Sequence, residues 1–150
     1  MPQKKVLIIN GDEGFVRILK LRLEPKGFEV FYEYKTLNVF GRVFEVKPDL
    51  IILDSFFSMP DAVDIFLRIK SNLLRHASIL CMVNSDSERK EIERLGIDPD
   101  GLLVKPYESG ELLGMIDSLM ARTAEFLSPE KAAGAPPEVP DTAEAALAHV

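Results

Sequence analysis

Apolar residues fall along this chain in two textures. Short runs such as Val6-Leu7-Ile8-Ile9, Leu50-Ile51-Ile52-Leu53 and Ser78 to Val83 lack polar alternation, the pattern of strands covered on both faces. Between them lie longer stretches with apolar residues at helical spacing. Glu13 to Glu24 carries Phe15, Ile18, Leu19 and Leu23 in this way and is ended by Pro25 and Gly27. Phe28 to Tyr34, rich in aromatic and β-branched residues, reads as a further strand. Leu37 to Val46 is a weaker helix. Asp61 to Leu74 is a helix with Val63, Ile65, Phe66 and Ile69 turned inward. Ser85 and Glu88 are spaced as a capping box at the charged helix Glu88 to Leu95. Gly101 to Val104 is the last strand and Glu108 to Phe126 the last helix. Strands alternating with helices in this way predict an α/β fold. It is a doubly wound five-stranded parallel sheet with five helices, on both faces of the sheet.

From Ser128 the texture changes. Ala, Pro and Glu dominate through Val150 and no aromatic residue occurs. Such a segment buries too little apolar surface to offset chain ordering. The expected organisation is therefore one domain over 1–127 and a disordered tail over 128–150, in which Asp141 is placed to cap a short helix to His149. Any action on a partner is then expected through the domain surface or through the tail as a tether.

Composition narrows the class further. The 150 residues are 47% hydrophobic and 28% charged, with a formal net charge of -6. An acidic chain does not attract phosphate backbones, so nucleic acid is not an expected partner. No apolar run reaches membrane-spanning length, and the N-terminus lacks the pattern of a signal peptide. One cysteine, Cys81, excludes an intramolecular disulfide and suits a reducing compartment, so a cytoplasmic location is expected. With two His and one Cys, structural zinc is not expected, and His76 has no ligand partner nearby in sequence.

In doubly wound sheets chemistry sits beyond the C-terminal strand ends. Here those ends present Asn10-Gly11-Asp12-Glu13, then Asp54, then Val83-Asn84-Ser85, then Lys105-Pro106. No glycine-rich nucleotide loop and no Ser–His pair is present, so an enzyme is not the expected reading.

Two of these ends carry a resemblance. Lys47-Pro48-Asp49-Leu50-Ile51-Ile52-Leu53-Asp54 resembles the phosphoacceptor strand of bacterial response-regulator receiver domains, the CheY-like flavodoxin-like fold. Val104-Lys105-Pro106-Tyr107 resembles the strand-Lys-Pro-aromatic signature of the same family. Both lie at the right strand ends in the right order, and the spacing agrees from Lys4 to about Met120. The resemblance implies a phosphorelay role in two-component signalling, with a sensor histidine kinase or another signalling protein as partner. It makes Asp54 the phosphoacceptor and Lys105 the phosphate-pairing residue, with Pro106 following a cis peptide bond. It also implies a Mg²⁺ site, and a partner or homodimer face on the fourth helix, fifth strand and fifth helix. That face covers Glu88 to Leu95, Leu102 to Val104 and Glu111 to Met120.

The departures from the family are equally specific. Its metal-holding acidic pair falls on Asn10 and Gly11, which offer one neutral amide and no side chain. Metal ligands are then Asp54 and Asp12 at most, and any Mg²⁺ is weakly held. Asp12 and Glu13 read equally well as helix N-terminal charges. The switch positions fall on Val83, which has no hydroxyl, on Asn84, and on Leu102 where the family has an aromatic residue. Asp61-Ala62 stands in for an Asp-Gly, and Met59-Pro60 comes two residues later than usual. Lys105 is also read as a structural partner of Asp54, and Ser85 and Ser87 as cap residues. Cys81 reads as a packed hydrophobe, and Phe56-Phe57 as either a contact patch or a cover over the site. The pattern resembles the atypical or pseudo-receivers. The alternative to an inefficient phosphoacceptor is a phosphorylation-independent interaction module.

Overall fold

A computed structural model describes residues 4–34, 36–73 and 77–126. The tail over 128–150, His76 and the last residue of the helix expected to reach Leu74 lie outside these. Five strands run β1 (Lys4–Ile9), β2 (Phe28–Glu33), β3 (Leu50–Leu53), β4 (Ser78–Val83) and β5 (Gly101–Val104). Between and after them come α1 (Glu13–Leu23), α2 (Val39–Val46), α3 (Ala62–Arg68), α4 (Asp86–Arg94) and α5 (Ser109–Phe126). The sheet is parallel throughout, in the order β2-β1-β3-β4-β5.

Strand pleating explains the unbroken apolar runs, because successive side chains enter opposite layers. Leu7, Ile9, Ile51, Leu53, Ile79, Cys81 and Val83 pack in the layer that contains Val43, Phe66 and Ile92 of α2, α3 and α4. Val6, Ile8, Leu50, Ile52, Leu80 and Met82 pack against Leu19 of α1 and Ile116 of α5. Every residue of β3 is fully buried. Burial of each such Leu or Ile contributes roughly 1.5–3 kcal/mol.

Helix ends follow their local chemistry. The Asp12 carboxylate accepts from the Phe15 amide at 2.7 Å and caps α1. Pro25 continues α1 only as a 3₁₀ turn, which stops at Gly27 in the left-handed region (φ 94°). Ser85 caps α4 by accepting from the Glu88 amide at 3.2 Å, and Glu88 Oε1 accepts from the Asn84 amide at 2.8 Å. The helix therefore opens at Asp86, two residues before the expected Glu88.

Two expectations need correction. Ile18 is 57% exposed, whereas the buried stripe of α1 is Val16, Leu19 and Leu23. At about 100° per residue, Ile18 lies some 200° round the helix from Val16. The third helix also breaks early: α3 ends at Arg68 and a π turn follows over Ile69–Leu73. There Ser71 Oγ donates to the Leu67 carbonyl at 2.7 Å, a back-bond that bends helices.

Candidate functional site

The strand order places the site. From β1 the chain crosses to β2 on one side, and from β2 it crosses back to β3 on the other. The C-terminal ends of β1 and β3 therefore open into a crevice between diverging connections. Asn10 and Asp54 stand there, at the ends of adjacent paired strands. The ladder extends to them, since the Asp54 amide donates to the Ile9 carbonyl at 3.0 Å. From the far side of β4, the Lys105 amide donates to the Val83 carbonyl at 2.9 Å.

Asp54 is buried to 3% exposure, and its Oδ1 lies 2.6 Å from Nζ of Lys105. The ammonium is not aligned for a directed hydrogen bond to that oxygen, so the contact is a Coulombic ion pair. Nζ also donates to Ser55 Oγ at 3.3 Å. The Lys105–Pro106 peptide is cis. Tyr107, half-buried beside the pair, has its phenol pushed above its ordinary pKa, first by burial and then by the Asp54 and Asp12 carboxylates.

Asn10 is held through its backbone N–H and its side-chain nitrogen. Its backbone is left-handed (φ 67°), a conformation Asn tolerates better than most residues. Its amide donates to the Glu33 carbonyl at 3.1 Å. Nδ2 reaches the Asp54 carbonyl at 3.1 Å, the Ser55 carbonyl at 3.5 Å and Ser58 Oγ at 3.1 Å. Ser58 Oγ in turn donates to the Ser55 carbonyl at 2.8 Å. Gly11 is buried, and a Cβ there would lie 2.8 Å from Ile8 Cγ2 and 3.0 Å from Phe15 Cδ2. The Asp12 carboxylate is engaged at the helix cap.

These groups do not fit Mg²⁺, which asks for octahedral oxygen ligands at about 2.0–2.1 Å. Asn10 turns a donor toward the oxygens, Gly11 has no room for a side chain, and Asp12 caps α1. Among the described residues no group of three or more His, Cys, Asp or Glu side chains could hold a metal ion.

No protein-family model matches the chain. Among solved structures, a two-component response regulator from Clostridium difficile matches over 80% of this chain and 98% of its own. Its sequence identity is 29% and the TM-score is 0.65. The signal receiver domain of a DNA-binding response regulator from Colwellia psychrerythraea 34H matches over 79% and 98%, at 25% identity and a TM-score of 0.65. The chain has the receiver fold. An adenylate cyclase structure from Rhodopirellula baltica is also similar, over 89% of this chain and 98% of its own, with a TM-score of 0.71. At 14% identity that likeness is one of fold.

The remaining predicted positions can now be placed. Val83 is fully buried at the end of β4 and pairs with Val104. Leu102 is partly buried against the α2–α4 layer, opposite Cys81 in register. Asn84 is exposed and held by its backbone to Glu88. Phe56 is fully buried and meets Phe66 edge-on, while Phe57 stacks edge-on against Phe56 at 5.2 Å. One of the pair is therefore core and the other half-buried. Asp61 is exposed and left-handed (φ 55°). It lines a 640 Å³ cleft beside Asn10, together with Tyr34, Leu37 and Phe40.

Ser55 and Ser58 were missed from sequence. The only available signal was the paired serines in an otherwise apolar loop after Asp54. No helix among the described residues is long and apolar enough to cross a membrane.

Proposed function

We propose that this chain is a receiver in two-component phosphorelay signalling, with Asp54 as an inherited phosphoacceptor that works inefficiently. The observation that carries the reading is the Asp54–Lys105 ion pair at the C-terminal strand ends, 2.6 Å long and largely buried on the carboxylate side. A carboxylate in that place is a nucleophile toward a phosphoryl group, and the ammonium beside it is placed to neutralise phosphoryl oxygens. Without metal ligands the developing charge meets Lys105 alone, so transfer is slow. The similarity to response regulators supports a signalling role. On this reading the partner is a sensor histidine kinase or another signalling protein in the cytoplasm.

A second reading, a phosphorylation-independent interaction module, is favoured by Gly11, whose packing leaves no space for a metal-holding side chain. On either reading the face of α4, β5 and α5 is the proposed partner or homodimer surface. Its α4 part carries the surface ion pairs Arg89–Asp86 (2.6 Å) and Arg89–Glu93 (2.7 Å), together with Arg94–Glu91.

Incubation with Mg²⁺ and a small phosphodonor, followed by mass spectrometry, separates the two readings. Slow addition of one phosphoryl group, absent from Asp54→Ala, supports the first. No addition at all supports the second, as does partner binding that survives Asp54→Ala. Rapid stoichiometric addition contradicts both.

A further inference from the structure

We infer that the Asn10 carboxamide does the mechanical work of a site cation, tying the end of β1 to the loop after Asp54 so that the receiver site keeps its shape without metal. Three oxygens converge on a single nitrogen: the carbonyls of Asp54 and Ser55 and the hydroxyl of Ser58. All three accept there, since the Ser58 proton is already given to the Ser55 carbonyl. Only a donor or a cation satisfies such a set. A flipped amide would turn its own oxygen onto three lone-pair-bearing oxygens, so the nitrogen must face them.

The tie is long-range. Asn10 and Ser58 are 48 positions apart, and the contact holds the start and the far part of the 54–58 loop to the same group. It is also neutral. A Mg²⁺ ion would bring two positive charges beside Asp54, whereas the carboxamide brings none. The Asp54 charge is then met by Lys105 at 2.6 Å. The left-handed backbone at position 10 adds a second constraint. Asn and Asp both tolerate it, so exchanging them changes donor for acceptor with little else altered. This inference deepens the receiver reading by naming what replaced its metal. It is read out by stability rather than by phosphoryl transfer, so either can fail without the other.

The experiment is thermal unfolding of the full chain and of Asn10→Asp and Asn10→Ala, followed by circular dichroism in EDTA and in excess MgCl₂. The wild-type Tm should be the same in both. Asn10→Asp places a carboxylate against three acceptors and near Asp54, so its Tm in EDTA should fall by roughly 5 °C or more. Mg²⁺ should restore most of that loss. Asn10→Ala should lose stability equally in both media, because it lacks both donor and ligand and is strained in the left-handed backbone. Four results overturn the inference. They are a wild-type Tm raised by Mg²⁺, an Asn10→Asp protein as stable as wild type in EDTA, a loss in Asn10→Asp that Mg²⁺ does not recover, and an Asn10→Ala protein as stable as wild type.

Discussion

Nζ of Lys105 lies 2.6 Å from Oδ1 of Asp54, and the two differ sharply in access to water. The carboxylate side chain is 4% exposed, the lysine side chain 31%. The charge that suffers if the pair is broken is therefore that of Asp54. Lys105→Ala should destabilise by roughly 2–3 kcal/mol, less than a fully buried pair because water reaches the ammonium. Adding Asp54→Ala to it should restore part of the loss by removing the stranded charge. Urea unfolding of the two single variants and the double gives the coupling, and a double variant less stable than Lys105→Ala would contradict it.

Gly11→Asp should cost roughly 1–3 kcal/mol, since even its Cβ meets Ile8 Cγ2 at 2.8 Å. It should not create Mg²⁺ affinity in calorimetric titration, because the new carboxylate cannot settle without moving Phe15. A stable Gly11→Asp protein with a clear Mg²⁺ isotherm would show that the pocket relaxes more easily than its packing implies.

Burial pushes the Cys81 thiol up to about 12. Folding therefore favours the protonated form. Its contribution to stability is complete below the unfolded thiol's ordinary value of about 8.5 and is lost as pH rises from there toward 12. At pH 8 Cys81 should resist a disulfide reagent in the native protein and react fully in denaturant. Rapid native labelling would contradict the packed placement.

Tyr107 should titrate above the ordinary tyrosine value of about 10. Its neutral form is the one the fold favours, so this contribution is intact below about 10 and declines above it. Asp54→Asn removes one of the two carboxylates that raise it, but leaves burial, the larger cause. The phenol should therefore shift down without returning to its ordinary value. Ultraviolet pH titration of wild type and Asp54→Asn, each against its Tyr107→Phe counterpart, measures this.

Much of the architecture was legible because local and tertiary signals agree. Leu50–Leu53, Ser78–Val83 and Gly101–Val104 sit where the apolar runs put them, since strands clothed on both faces need no polar alternation. The break in α3 was not legible, because it depends on whether Ser71 turns back onto Leu67. Ile18 was counted in the apolar stripe because apolar character alone does not fix the phase of a stripe. At the site, Asp54 and Lys105 were readable from their strand ends. The role of Asn10 was not, since its partners are brought to it only by the pairing of β1 with β3. Ser58 was invisible for the same reason.

The packing around Gly11 also has a historical side. With Ile8 Cγ2 and Phe15 Cδ2 at 2.8 and 3.0 Å from where a Cβ would sit, an acidic residue cannot arise there in one step without damage to the packing. A lineage would first need a smaller residue at position 15 or 8, a change with no benefit of its own while Asn10 holds the loop. The order of substitutions is thereby constrained, and descendants of this chain are more readily diversified around the site than given an acidic pair.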